Sequence, residues 1–305
     1  MGKPVLGIDV GGTKTAWGLI AEDGTLLDSG RFATPTDRDE FVTALRDLIA
    51  SQPPVAGIGV GIAGIVSHHR DVVVSPYLPA LSHLELAQEL EQAGKHRIVV
   101  LDNDARCALL GERWLGRARE VTSTILLTLG TGVGGAVMQK GEVLPHPTDI
   151  TRELGHLVAD SSDLFESPSG KGTIETLLGG RNLERRFGEP IESIIEAARE
   201  GDEECKDILE TVAGYFASCV QAIADTYSPK LMLIGGAGSR SLDAVLPRNA
   251  SYDFPIERCQ LGEDAGVFGA AWLALDRARA MKREAEEWGD DTELATAEKA
   301  DDPAS

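Results

Sequence analysis

The sequence predicts an α/β protein in two parts, on three observations. Strand-like apolar runs alternate with segments whose apolar residues recur at helical spacing. A strand, a glycine-rich turn and a returning strand occur twice, as VLGIDVGGTKTAWGLI from Val5 and as ILLTLGTGVGGAVMQ from Ile125. The length, 305 residues, supplies two domains or one large one.

In chain order, VLGIDV (5–10) reads as a buried strand that turns through GGTKT into AWGLI. GIGVGI (57–62) is a strand opening into a glycine-containing loop, LELAQELEQAG (84–94) is helical in character, and HRIVVL (96–101) is a buried strand leading to a helix over 105–115. STILLTL (123–129) repeats the opening plan, with GTGVGG as the turn and AVMQ as the return. Helices follow at 173–178, 191–199 and 207–227, then a short strand, LMLI (231–234), running into GGAG, and a last helix over 265–281.

Glycine permits positive φ in any tight hairpin. Turn chemistry alone does not require the Asp and Thr that stand beside these glycines. Exposed N–H groups at such tips form anion-binding nests, and two facing tips would grip a polyphosphate from both sides. The familiar nucleotide motifs fail here. Gly11-Gly12 leads into a strand, which excludes the dinucleotide fingerprint. ESPSGKGTIE (166–175) only imitates a P-loop, because Phe165 stands where the first glycine belongs and Gly172 replaces the magnesium-binding Ser/Thr.

The net charge of −20 argues against nucleic acid as a partner. From residue 283 to the end, nine acids face two bases, and a fraying helix end followed by an acidic, disordered tail is expected there. No apolar run approaches the roughly 18 residues that span a bilayer, and no secretory leader is expected, so the reading is cytoplasmic. Cys107, Cys205, Cys219 and Cys259 form no C-x-x-C pair and read as buried small residues.

Three clusters carry chemistry. Asp9 ends the first strand beside a glycine tip. It is either a turn-capping residue or a ligand, through water, for a Mg²⁺ that bridges phosphates. Asn103 and Asp104 lie where a strand enters a helix. Asp104 is either the helix N-cap or, with Asn103, part of a polyol site in which Asn orients one hydroxyl and Asp accepts another's proton. Glu153 and His156 are either inward groups meeting one substrate or a surface i,i+3 pair.

IDVGGTKT, the NDA at 103–105 followed by LLGE, TLGTGVGG, the E-x-G-H at 153–156 and LIGGAG, in this order, resemble the ROK family of sugar kinases and repressors in the actin–hexokinase superfamily. The likeness runs from about Val5 to Leu275. It implies a two-lobed actin-like ATPase fold with ribonuclease-H-like cores and a nucleotide cleft between the lobes. Residues 1–115 and about 265–282 would form the first lobe, and 116–264 the second. It implies Asp104 as the base acting on a sugar 6-hydroxyl, with Asn103, Glu153, His156, Glu175 and Gly64 on the sugar. It implies Gly11, Gly12, Thr13, Lys14, Gly130, Thr131 and Gly132 on the phosphates, with Gly235 and Gly236 facing adenosine. ATP and Mg²⁺ would be the cofactors, a sugar the second ligand, and a homodimer the assembly.

Many members carry C-x-C-G-x-x-G-C-x-E, whose cysteines hold zinc with the E-x-G-H histidine. Here the segment 167–175 is one residue shorter and holds Ser and Thr instead, so no zinc is expected. PHPTDITR (145–152) lacks the usual glycines, and SPYLPAL (75–81) lacks the usual asparagine. The implied activity is ATP-dependent phosphorylation of a hexose, glucose first, with N-acetylmannosamine, N-acetylglucosamine or fructose as alternatives. A sugar-responsive regulator or a non-catalytic sugar sensor is the alternative of another class.

Overall fold

The computed structural model describes residues 2–93, 98–147, 149, 152–246 and 252–297. Two five-stranded sheets organise it. The first runs β3-β2-β1-β4-β7, from β1 (Val5–Val10), β2 (Lys14–Ile20), β3 (Leu26–Ala33), β4 (Ile58–Ile62) and β7 (Val99–Asn103). β5 (Ile65–Ser67) and β6 (Asp71–Val74) pair separately. The second sheet runs β10-β9-β8-β11-β12, from β8 (Thr124–Leu129), β9 (Val133–Gln139), β10 (Glu142–Val143), β11 (Leu231–Gly235) and β12 (Ile256–Arg258).

The two sheets share one plan. β1, β2 and β3 form an antiparallel meander, and β4 and β7 add to β1 in parallel. β8, β9 and β10 form the same meander, with β11 and β12 added in parallel. The duplication legible in the two hairpins therefore extends to both whole sheets.

Each sheet is covered on both faces, which is why its central strands read as unbroken apolar runs. On the first sheet, Leu6, Ile8, Ile58 and Val60 pack with Phe41 and Leu45 of α1 (Arg38–Ser51) and Leu90 of α2 (Leu86–Ala93). On the opposite face, Val5 and Ile20 meet Val267, Ala271 and Leu275 of α9 (Ala265–Ala297). On the second sheet, Ile125, Leu127, Met232 and Ile234 pack with Leu177 of α4 (Ile174–Leu178) and with Phe216 and Val220 of α7 (Glu203–Tyr227). Its other face meets Ala105 and Leu109 of α3 (Asp104–Leu115). The last helix thus returns to the first sheet, and α3 and α9 lie back to back between the sheets.

That pairing depends on missing side chains. A Cβ on Gly269 would sit 1.6 Å from the Cys107 carbonyl oxygen, and one on Gly111 would sit 2.4 Å from that of Ala265. Only glycine permits these helices to approach so closely.

The boundaries differ from expectation in ways local chemistry explains. α7 begins at Glu203 rather than at residue 207, because Asp202 caps it by accepting from Cys205 N. The N-cap of α3 is Asn103, whose side chain accepts from Arg106 N at 3.1 Å; Asp104, expected as a possible cap, is the first helical residue. The acidic segment from residue 283, expected as a fraying helix end followed by a disordered stretch, continues α9 as helix to Ala297. Alanine and glutamate, strong helix formers, fill it. Residues 298–305 and the expected start of the 96–101 strand lie outside the described residues. Among the described residues no helix is long and apolar enough to cross a membrane.

Candidate active site

The two glycine tips, β1–β2 and β8–β9, open on one cavity of about 560 Å³. Gly11, Gly12, Thr13, Gly64, Asn103, Asp104, Gly130, Thr131, Gly132, Glu153, His156, Glu175 and Gly236 all line it. Sequence positions 11 to 236 therefore converge on a single chamber. Asp9, Lys14 and Gly235 stand outside that lining. Gly235 faces Cys259 Sγ in the core. The Lys14 ammonium lies 3.0 Å from Glu263. Glu263 also draws Arg31 and Arg240, so that one carboxylate ties the first hairpin to the segment after β11.

The tips are shaped as nests. Gly11 N donates to Lys14 O at 3.0 Å, and Gly130 N donates to Gly132 O at 3.0 Å. The N–H groups of Gly12, Thr13, Thr131 and Gly132 have no backbone partner among the described residues. Converging, unsatisfied N–H groups are what an anion needs. The second tip is braced by α5 (Gly180–Phe187), whose Gly180 and Arg181 N–H groups donate to the carbonyls of Gly130 and Thr131.

Three carboxyls line the chamber, Asp104, Glu153 and Glu175, and Asp9 is buried outside that lining; all four hold their protons more tightly than usual. Burial raises Asp104. Burial first, then the charges of Asp104 and Glu175, pushes Glu153 up to about 7. Burial, with Asp104 next and Asp264 weaker, pushes Asp9 up to about 7 against the opposing Lys14. Burial raises Glu175, while bonds from Val133 N and Tyr77 pull the other way. Such shifts mark sites built to meet ligands.

Asn103 is spoken for in part, since Oδ1 caps α3 and Nδ2 donates to Gly64 O at 3.2 Å. Its amide also bonds to the Asp104 carboxyl, which leaves Oδ1 with the one position for a ligand. Burial lowers the proton affinity of His156, against its bond to the Ser169 backbone and the charge of Asp149. The 167–176 turn is held by hydroxyls: Ser167 Oγ lies 2.6 Å from Thr176 Oγ1 and 2.9 Å from Ser169 Oγ, and Thr176 Oγ1 donates to Gly170 O at 2.5 Å. Lys171, the lysine of the false P-loop, pairs at the surface with Glu166 at 3.0 Å.

Sequence reasoning missed Tyr77, Arg181, Arg185 and a second cavity. Tyr77 and both arginines line the first cavity. The second, about 460 Å³, is walled by Leu178, Leu183, Ile191, Val212, Phe216 and Val245. It shares Leu129, Gly130, Thr131, Arg181 and Ala237 with the first, so the two meet at the second glycine tip. No motif announces that apolar wall, which five separate helices assemble.

The raised proton affinity of Glu153 yields a prediction. The folded protein binds this proton more tightly than the unfolded chain, whose carboxyl titrates near the ordinary 4.5. The associated stability is complete below about 4.5 and is lost as pH rises through about 7. Glu153→Gln should flatten the dependence of the urea midpoint on pH across that window and leave the ligand-free variant the more stable protein above it. Parallel profiles for the two proteins would refute this.

A family model described as the ROK family matches residues 5–277. A glucokinase of Thermotoga maritima is 28% identical, covering 90% of this chain and 98% of its own. An N-acetyl-D-glucosamine kinase of Pectobacterium carotovorum is 31% identical, covering 88% and 98%. Among solved structures, a ROK family glucokinase from Streptomyces griseus in complex with glucose and AMPPNP superposes with a TM-score of 0.73 at 26% identity, covering 88% of this chain and 98% of that one. With both sheets of the actin-like fold present and the match spanning nearly every described element, the chain belongs to the ROK family.

Proposed function

We propose that this protein is a sugar kinase that transfers the γ-phosphoryl group of ATP to the 6-hydroxyl of a hexose, with glucose as the first candidate. The observation that carries this reading is the shared chamber, in which two glycine tips with unpaired backbone N–H groups meet the carboxyls of Asp104, Glu153 and Glu175 and the ring of His156. The adjoining apolar cavity suits an adenine, and in this reading the polyphosphate would lie at the Gly130–Gly132 tip where the cavities meet.

In this reading the tips hold the phosphates through backbone N–H groups. Asn103, Glu153, His156 and Glu175 fix the sugar's other hydroxyls. Asp104 takes the proton of the attacking hydroxyl as oxygen bonds to phosphorus and the bond to ADP breaks. Burial raises the basicity of Asp104, and the amide of Ala105 holds its Oδ1 at 2.8 Å. Among the described residues no group of three or more ligating side chains could cage a metal. Mg²⁺ takes one or two carboxylates and otherwise waters and phosphates. Asp9, a buried carboxyl destabilised by Asp104, is the residue to hold it, and the ion would neutralise phosphate charge.

N-acetylglucosamine or N-acetylmannosamine is the second candidate substrate, favoured by the 31% identity to an N-acetyl-D-glucosamine kinase. A screen of hexoses and N-acetylhexosamines for ATP-dependent phosphorylation tests the reading, and the absence of turnover with every sugar would sink it. The hydroxyl lattice of Ser167, Ser169, Thr173 and Thr176 leaves no thiolate for zinc. Elemental analysis of protein purified without chelator should therefore find no stoichiometric zinc, and one equivalent per chain would refute this.

A further inference from the structure

Tyr77 reaches from the first lobe to the second. It sits in the loop after β6, and this loop is pinned rather than free. Ser75 Oγ donates to Ala63 O at 2.8 Å, Arg38 donates to the carbonyls of Ala80 and Ser82, and Leu78 and Leu81 are buried. From that base the phenol crosses between the two glycine tips. A Cβ on Gly12 would lie 3.3 Å from Tyr77 Cβ, and a Cβ on Gly132 only 1.8 Å from Tyr77 Oη. The hydroxyl donates to Glu175 Oε1 at 3.2 Å, and the Arg181 guanidinium lies 6.0 Å from the ring centre.

Glu175 is consequently fixed at both ends. Oε2 accepts from Val133 N within the second lobe, and Oε1 accepts from Tyr77 across the cleft. A carboxylate bound in this way cannot rotate. It offers the chamber one remaining lone pair on Oε1, beside a phenol oxygen that can itself accept. Such a pair can receive one hydroxyl in one orientation, donating to Glu175 or to Tyr77, and places an epimeric hydroxyl elsewhere.

We propose that Tyr77 is a specificity-determining residue of the sugar site. With Glu175 it forms a wall built from both lobes that reads the configuration of one acceptor hydroxyl, and that wall is complete only when the lobes stand as they do here. The proposal rests on the sugar-kinase reading. A site that pairs with a substrate hydroxyl discriminates strongly against analogues that cannot make the bond. Without the phenol hydroxyl, Glu175 is held at one oxygen only and can follow a hydroxyl in either orientation.

The test is a comparison of wild type with Tyr77→Phe and Tyr77→Asn. Measurements are kcat/KM and calorimetric affinity for glucose, mannose, galactose, allose and their 2-acetamido counterparts, with ATP KM alongside. For Tyr77→Phe we expect kcat/KM for the preferred sugar to fall at least about tenfold, chiefly through KM. Its preference over the nearest epimer should shrink by a similar factor, with ATP KM changed less than about twofold. A merely structural role would lower all sugars together and leave the ratios unmoved. Ratios within about twofold of wild type in both variants would overturn the proposal while leaving the kinase reading intact. A wild-type protein that neither binds nor phosphorylates any sugar of the panel would overturn both.

Discussion

Asp104→Asn is expected to lower kcat by roughly 10²–10⁴-fold, the usual range for loss of a general base, while sugar affinity stays close to wild type. The change is conservative where it matters for folding. Asn103, not residue 104, caps α3, and an amide oxygen at 104 can still accept from Ala105 N. What is lost is the proton acceptor, together with a negative charge that reaches Glu153 and Asp9. The variant therefore carries a second signature. Without the 104 charge, Glu153 and Asp9 release their protons at lower pH, so the ligand-free protein should lose less stability between pH 5 and 8 than wild type does, a range chosen to bracket the value of about 7 that both carboxyls reach. Rates from a coupled ADP assay and urea midpoints on the same preparation separate the two effects. Near-full activity in Asp104→Asn would remove Asp104 from the mechanism. An unchanged pH profile would show that its charge does not reach its neighbours.

Much of this site was legible in sequence because its parts are local. A glycine tip between two apolar strands, or Asn-Asp at the junction of strand and helix, can be recognised within ten residues, and the repeated hairpin plan pointed to two related sheets. What escaped depends on distant segments. β3, LLDSGRFA, is an edge strand with mostly exposed residues, so it lacks the apolar run that betrays β1. α1 was overlooked although Asp37 caps it and Phe41, Val42, Leu45 and Ile49 follow at helical spacing, a signal that was present. The family resemblance implied Lys14 on the phosphates, yet Glu263, 249 positions away, holds its ammonium. Tyr77 gains its meaning only from Glu175, 98 residues on. Periodicity reports the face of an element, and it cannot report which residue of another lobe that face will meet.

The loop that leads to Glu175 gives the largest expected effect on stability. Asp163→Ala should destabilise the protein by roughly 3–5 kcal/mol, because it strands a buried guanidinium. Arg186 donates to both oxygens of Asp163, at 2.9 and 2.7 Å, and to Tyr215 Oη at 2.8 Å. It also lies 4.3 Å from the Phe165 ring centre and 4.8 Å from that of Tyr215. The two charged side chains are only 13% and 8% exposed, which sets this pair, like Arg106–Asp102 at 12% and 4%, apart from the surface bridges among the described residues. One guanidinium thus joins the loop to α5 and α7, anchoring a segment also tied by the hydroxyls of Ser167, Ser169, Thr173 and Thr176 and by the backbone N–H groups of Ala159 and Asp160 on Gly172 O. The bond from Arg186 holds the Asp163 carboxyl below its ordinary 3.8, against its burial. Its contribution is therefore present above that value and lost only as pH falls through the still lower folded one. Urea denaturation at pH 7 should show the full loss in Asp163→Ala, and the difference from wild type should narrow on acidification below about 4. The double variant Asp163→Ala/Arg186→Met, which removes both charges, should recover part of the loss. If the single and double variants are equally destabilised, the cost lies in packing rather than in the stranded charge. Because the loop ends in the turn that caps α4 through Thr173 and aims Glu175 at Tyr77 and Val133, Asp163→Ala should also weaken sugar binding without moving ATP KM.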